Sequence, residues 1–374
     1  MKSLNLNGKL AFLVVLLLVC SCEKETEQTI ETKDESTLKI HAGSIKGYKD
    51  GPALEAQFEN PVLMAVGPDK SLYIVEGGVD VISWYYSNGR RIRKITENGI
   101  VSTFFNADNS NMPVNEIRGI AIDRNGDVFI SDGNQIKKIS SDGKQVTVVA
   151  GDGTILMMKD GPALKASFWG PSGLAFDKNG CLYIMDTQNN AVRMLSNGKI
   201  STLAGGNRDY SPTSEQAHFA PKDGVKSQAE FDIPQFLILD KNGNIYVSGG
   251  LFPIVRKITQ TGVVTTVIGN NNLSYETEAL DTYRGITFDE KDILYLNHNY
   301  ARPVRETYNF QIYRRSLIDQ SFTTLASNEY EGELFEGGIF PEGGLNFPTG
   351  MVAMNNTLYF CNTGEHTIRK IALE

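Results

Sequence analysis

The sequence predicts an all-β fold, a six-bladed β-propeller, on three observations. A four-strand phrase recurs through residues 38–374, its second strand can be counted six times, and a lone strand near the start supplies the one missing at the end. The fullest copy runs from Ala163 to Gly205 and divides into PSGLAF, CLYIMD, AVRMLS and KISTLAG, each of strand length. Between them stand DKNG (177–180) and SNG (196–198), whose Asn-Gly pairs supply the positive φ that tight hairpins need.

The second strands end at Glu76, Asp132, Asp186, Gly249, His298 and Asn362. Third strands follow as RIRKIT (91–96), QIKKIS (135–140), AVRMLS (191–196), IVRKIT (254–259), QIYRRS (311–316) and TIRKIA (367–372). Fourth strands, VSTFF, VTVVAG, ISTLAG, VTTVIG and FTTLAS, complete only five blades. The segment STLKIHAG (36–43) is of the missing type, so the first strand is expected to join the last blade and remove an exposed sheet edge. The phrase KDGPAL at 49–54 and 159–164, with KDGVKSQAEF at 222–231, sets a turn followed by Ala and Phe that can plug the gap between blades, an architectural role.

These units resemble the NHL repeat, which reads roughly A-x-F-x-x-P-x-G-x-A-x-D, an Asn-Gly turn, LYVAD, N-x-x-I-R-K-I and V-x-T-x-A-G. The resemblance covers residues 38–374. It is fullest in blade 3 and weakest in blade 5, which lacks the Asn-Gly turn. It implies a fold and leaves function open, because NHL propellers include receptors, RNA binders, sensors and enzymes.

Ahead of the propeller, Lys2 and Lys9 precede an apolar run from Leu10 to Val19, the layout of an export signal. The following Val19-Cys20-Ser21-Cys22 resembles a bacterial lipobox, with Cys22 the expected lipidation site and a plain secretory signal the alternative. Residues 22–37 are poor in large apolar side chains and read as a flexible acidic tether. The acidic stretch after Cys22 resembles the export signal of Bacteroidetes surface lipoproteins, which implies an outer-membrane lipoprotein at the cell surface or periplasmic face. Loss of residues 1–21 removes two of the 36 basic residues and none of the 44 acidic ones, shifting the net charge from -8 to -10. Such a charge lacks the footprint of a nucleic-acid binder. Cys181 and Cys361 fall in blades 3 and 6, on opposite sides of the ring, so they are expected to be unpaired, buried thiols.

In such a ring the tops of the inner strands converge on the central channel. By alignment they are Val62, Arg118, Ser172, Gln235, Arg284 and Thr349. Two guanidinium groups in one funnel require carboxylates or an anionic ligand. The nearest expected partners are the second ring: Glu76, Asp132, Asp186, Gly249, His298 and Asn362. That ring suits either backbone satisfaction or an oxygen-rich calcium site, resembling the axial sites of lactonase and amidating-lyase propellers. A three-His zinc site is excluded because His298 is the single His of the ring. Two insertions, 77–90 with Trp84, Tyr85 and Tyr86, and 299–310 with Tyr300 and Tyr308, read as long upper-face loops. With the loop 329–347 they place aromatics in one sector, either for stacking on a sugar or peptide or for packing on one another. Trp169 offers a further platform.

No P-loop, G-x-S-x-G, H-E-x-x-H or C-x-x-C is present. That absence carries little weight in a propeller, whose enzymes assemble sites from separate blades; because a lipid tether, regular repeats and aromatic loops need no chemistry, the expected function is noncatalytic recognition of a glycan or envelope protein, with no certain cofactor. The competing expectation is a metal-dependent hydrolase or lyase, with Ca or Zn on Glu76, Asp132, Asp186, His298 and Asn362.

Overall fold

Burial grades outward through each repeat. In blade 3 the second strand, Leu182–Asp186, is buried at every residue, whereas the fourth, Lys199–Gly205, opens with alternating exposed and buried residues. A strand covered on both faces reads as a continuous apolar run, and one at the rim reads as alternation. The pattern thus orders the strands from centre to edge.

The structure, a computed structural model, describes residues 38–79, 86–154, 158–206, 221–250, 253–269, 280–302, 307–331 and 344–373. All lie in one compact unit, Glu31–Glu374. They form six antiparallel sheets whose innermost strands touch their neighbours around a complete ring. Blades 1 and 4, 2 and 5, and 3 and 6 consequently face each other. Leu38–Ala42 pairs antiparallel with Thr367–Ala372, Lys39 opposite Lys370 and Ile40 opposite Arg369, and completes blade 6. The expected closure is present. Apolar cores fill the space between blades; one joins Val62 and Val75 of blade 1 to Ile117 and Ile130 of blade 2.

The KDG phrase has a more definite role than a turn. Gly51–Pro52, Gly161–Pro162 and Gly224–Val225 are short fifth strands on the outer edges of blades 1, 3 and 4. Each phrase also closes on the Arg of its blade's third strand. Arg193, fully buried, donates to Asp160 at 2.7 Å, to Lys159 O at 2.9 Å and to Ser167 O at 3.2 Å. Its guanidinium lies 5.1 Å from the centroid of the Phe168 ring. Arg93 repeats this with Asp50, Lys49 O, Gln57 O and Phe58, and Arg256 with Asp223, Lys222 O, Glu230 O and Phe231. Desolvating a guanidinium is tolerable only with such dense pairing. Blade 5 has Tyr313 at this place and no KDG phrase.

Two expectations change. The insertions of blades 1 and 5 are not loops over most of their length: they lengthen hairpins, as Leu72–Val79 with Tyr86–Ile95 and Leu294–Arg302 with Thr307–Arg315. Backbone pairing such as Ala301 opposite Tyr308 satisfies their polar groups without a tight turn at the blade top. Both cysteines are free, but only Cys361 is fully buried, its thiol pKa pushed up by burial. Cys181 is half-buried, its thiol 3.3 Å from Ser196 Oγ.

Candidate functional site at the upper end of the channel

The inner strands carry an irregularity at the positions expected to line the funnel. Register shifts fall between Pro61 and Leu63, Ile117 and Gly119, Pro171 and Leu174, Thr282 and Gly285, and Pro348 and Met351. They enclose Val62, Arg118, Ser172, Arg284 and Thr349, and a bulge re-aims the side chain it carries. Gln235 immediately precedes the inner strand of blade 4, Phe236–Leu239.

Carbonyls at or next to this ring are held by the preceding blade. Ser131 Oγ donates to Ser172 O at 2.9 Å, Ser172 Oγ to Gln235 O at 2.8 Å, Asn297 Nδ2 to Thr349 O at 2.6 Å and Thr363 Oγ1 to Pro61 O at 2.7 Å. The approach is so close that a Cβ on Gly119 would collide with Ser172 O, and one on Gly285 with Thr349 O. Four blades have Gly here; the facing blades 1 and 4 have Leu63 and Phe236 instead. Phe236 packs against the core of blades 4 and 5 and also against the core of blades 1 and 2, so it spans the channel axis and gives the funnel an apolar floor. This floor was missed, although the interrupted Gly column was its signal.

Arg118 does not use the second ring as expected. Arg118, with 35% of its side chain exposed, donates to Glu116 at 2.7 Å. Glu116 sits two residues earlier, in a segment whose N–H groups at Asn115 and Glu116 donate to Asp132. Arg284 is buried, its guanidinium 5.1 Å from the Phe347 ring centroid and its backbone N–H donating to Asn297 Oδ1.

The second-ring acids turn along their sheets. Glu76 accepts from Arg93 at 2.9 Å, from Arg91 at 3.3 Å and from Glu59 N–H at 3.1 Å. Asp132 accepts from Lys137 at 2.5 Å, and Asp186 from Arg193 at 2.5 Å, Trp169 N–H at 2.8 Å and Asn189 at 2.9 Å. Burial pushes the carboxyls of Glu76 and Asp186 above the usual range, against the pull of Arg93 and Arg193. Asn362 accepts from Asn346 N–H and donates to Gly344 O and Glu365. His298 lies between Tyr283 and Tyr313, at ring-centroid distances of 5.3 and 6.2 Å. Among the described residues no three His, Cys, Asp or Glu are grouped to hold a metal ion.

The aromatic sector divides. Tyr308 is 5% exposed within the core of blades 5 and 6, with Phe310 and Phe347, so it is a packing residue rather than a ligand platform. Tyr300 and Trp169 are half-buried. The Trp169–Gly170 turn meets the funnel directly: a Cβ on Gly170 would stand 3.0 Å from Arg118 Nη1 and 3.0 Å from Gln188 Cγ. Trp84, Tyr85 and Cys22 lie outside the described residues, as does the side chain of Tyr86.

No family model matches the chain. An alignment of 186 residues that covers 48% of this chain is 28% identical to human NHL repeat-containing protein 2. The chain is a six-bladed propeller similar to an NHL-repeat protein. The match spans about a quarter of that relative's length, 25%. Among solved structures, the propeller is similar to a Bacteroides thetaiotaomicron protein of unknown function, with TM-score 0.56 and 16% identity over 90% of this chain and 76% of the other. An auxiliary nutrient binding protein of Bacteroides thetaiotaomicron gives TM-score 0.55 and 13% identity over 90% and 76%. Streptogramin B lyase gives 0.50 and 14% over 92% and 100%. At these identities the likeness is one of fold.

Proposed function

We propose that the chain is a cell-envelope lipoprotein, anchored in the outer membrane through Cys22, whose propeller is a noncatalytic binding platform for a glycan or an envelope protein. The observation that carries this reading is the division of labour between the two rings. Glu76, Asp132 and Asp186 are committed to Arg93, Lys137 and Arg193, while Arg118 keeps a third of its side chain exposed beside the Trp169–Gly170 turn, 35%. Acids held by buried cations are poor metal ligands and poor proton carriers, whereas a guanidinium beside an aromatic turn suits recognition. A metal-assisted hydrolase or lyase on Glu76, Asp132, Asp186, His298 and Asn362 requires those pairs to open first. Since the fold hosts a protein described as nutrient-binding and a lyase alike, the choice rests on the site.

A screen of glycans and envelope proteins tests the reading. Arg118→Ala and Trp169→Ala are each expected to weaken the bound partner about tenfold or more, the loss of a charged or aromatic anchor. Undiminished binding in both variants removes the funnel as the site.

A further inference from the structure

The lower face, opposite the funnel, carries a cleft of about 520 Å³ between blades 2 and 3. Its floor is apolar: Phe129 and Phe176 meet edge to face with centroids 4.9 Å apart, beside Leu182, Leu195, Val149 and Ala163. The volume falls within the range of small-molecule sites, roughly 300–1,000 Å³.

Phe129 departs from the repeat. The other five blades place Tyr there: Tyr73, Tyr183, Tyr246, Tyr295 and Tyr359. Tyr295 donates its hydroxyl to Asp289, the acid of its own lower turn, at 3.2 Å, and Tyr246 bonds Asp240 in the same way. Blade 2 has no hydroxyl at this place, so Phe129 presents a wholly apolar ring to the seam. Asp123 keeps the bonds these turn acids share, accepting the N–H groups of Asn125 and Asp127, each at 2.9 Å, as Asp177 across the seam accepts those of Asn179 and Cys181 and Asp289 those of Lys291 and Ile293. Both acids of the lining are therefore engaged within their own turns.

The cations beside them are not. Among the described residues neither Arg124 nor Lys178, both exposed at the mouth, forms an ion pair. Arg124 leans across the seam over Gly180, its Nη2 3.2 Å from where a Cβ would stand. On a chain of net charge -8, two uncommitted cations over an aromatic floor match an anion carried on an apolar body.

We propose that this cleft is a ligand site for a small molecule with a flat apolar body and one anionic group, the body on Phe129 and Phe176 and the anion at Arg124 and Lys178. It is independent of the funnel. The probe is 8-anilinonaphthalene-1-sulfonate, titrated by fluorescence into the whole chain, with uncharged N-phenyl-1-naphthylamine as comparison. The sulfonate is expected to bind saturably at one equivalent. Phe129→Tyr, which restores the residue of the other blades, weakens both probes about tenfold, whereas Arg124→Gln weakens the sulfonate alone. Arg118→Ala leaves both unchanged. Absence of saturable binding, or unaltered affinity in both cleft variants, overturns the proposal; so does loss of binding in Arg118→Ala with retention in Phe129→Tyr, which places the probe in the funnel.

Discussion

Replacing Arg193 by Met is expected to cost about 3–5 kcal/mol of stability, because it strands a carboxylate that is fully buried. Asp186 then keeps only the Trp169 N–H and Asn189 as donors, Asp160 is left with Thr202, and the carbonyls of Lys159 and Ser167 lose the guanidinium. Adding Asp186→Asn should recover part of the loss by removing the stranded charge. Lys94→Met is the control: its pair with Asp69 has side-chain exposures of 24% and 48%, and such rim pairs contribute about 1 kcal/mol or less. The deficit of the single variant should also narrow in acid. Burial already raises the Asp186 pKa, Arg193 opposes that rise, and without Arg193 the carboxyl takes up a proton at higher pH, which relieves the charge. Thermal midpoints of the variants across a pH series measure all three.

The second large effect concerns the seam where the ring closes. Blades are stitched by a side-chain acceptor at the turn between second and third strands. Asn134 Oδ1 accepts Gly170 N–H at 3.0 Å and Asn190 Oδ1 accepts Ile233 N–H at 2.7 Å. Between blades 6 and 1 the acceptor is His366 Nδ1, 3.1 Å from Asn60 N, which works only while that nitrogen is unprotonated. His41 on the closing strand lies 4.8 Å from the Tyr359 ring, and burial and Lys370 lower its pKa to about 4. Burial lowers that of His366 as well. Both folded values lie below the ordinary 6.5, so their contribution is complete above that pH and is lost as pH falls towards 4. The thermal midpoint is expected to drop over this window. His366→Asn should flatten the drop, since Asn190 makes the same stitch from the same left-handed conformation, with φ of 49° against 57°. A disulfide between Lys39→Cys and Lys370→Cys, opposite each other in the closing sheet, should raise the midpoint throughout. An unaltered acid limb in His366→Asn contradicts this account.

The six blades and their closure were legible because each strand carries its own pattern and the lone segment around Ile40 matched the missing one. The fifth strands were not, since two residues such as Gly51 and Pro52 hold no periodicity. Arg193 and Asp160 lie 33 residues apart, so the KDG phrase read as a turn until both ends of the pair were placed. Funnel positions were legible by alignment, yet the Arg118 partner was not: Glu116 belongs to an irregular leading segment, and its orientation is set by Asp132 from the neighbouring strand. For Tyr308 the sequence left ligand stacking and packing both open, and the structure shows packing: the lengthened hairpin places it with Phe347 and Phe310 in the core of blades 5 and 6.

The account stands on the second-ring carboxylates being structural groups held by Arg93, Lys137 and Arg193. Metal content of the purified chain, with its thermal midpoint measured in Ca²⁺ and in EDTA, tests this most directly. The prediction is a metal-free protein whose midpoint is the same in both. A stoichiometric metal, or a saturable rise in midpoint with Ca²⁺ that Asp132→Asn abolishes, would contradict it.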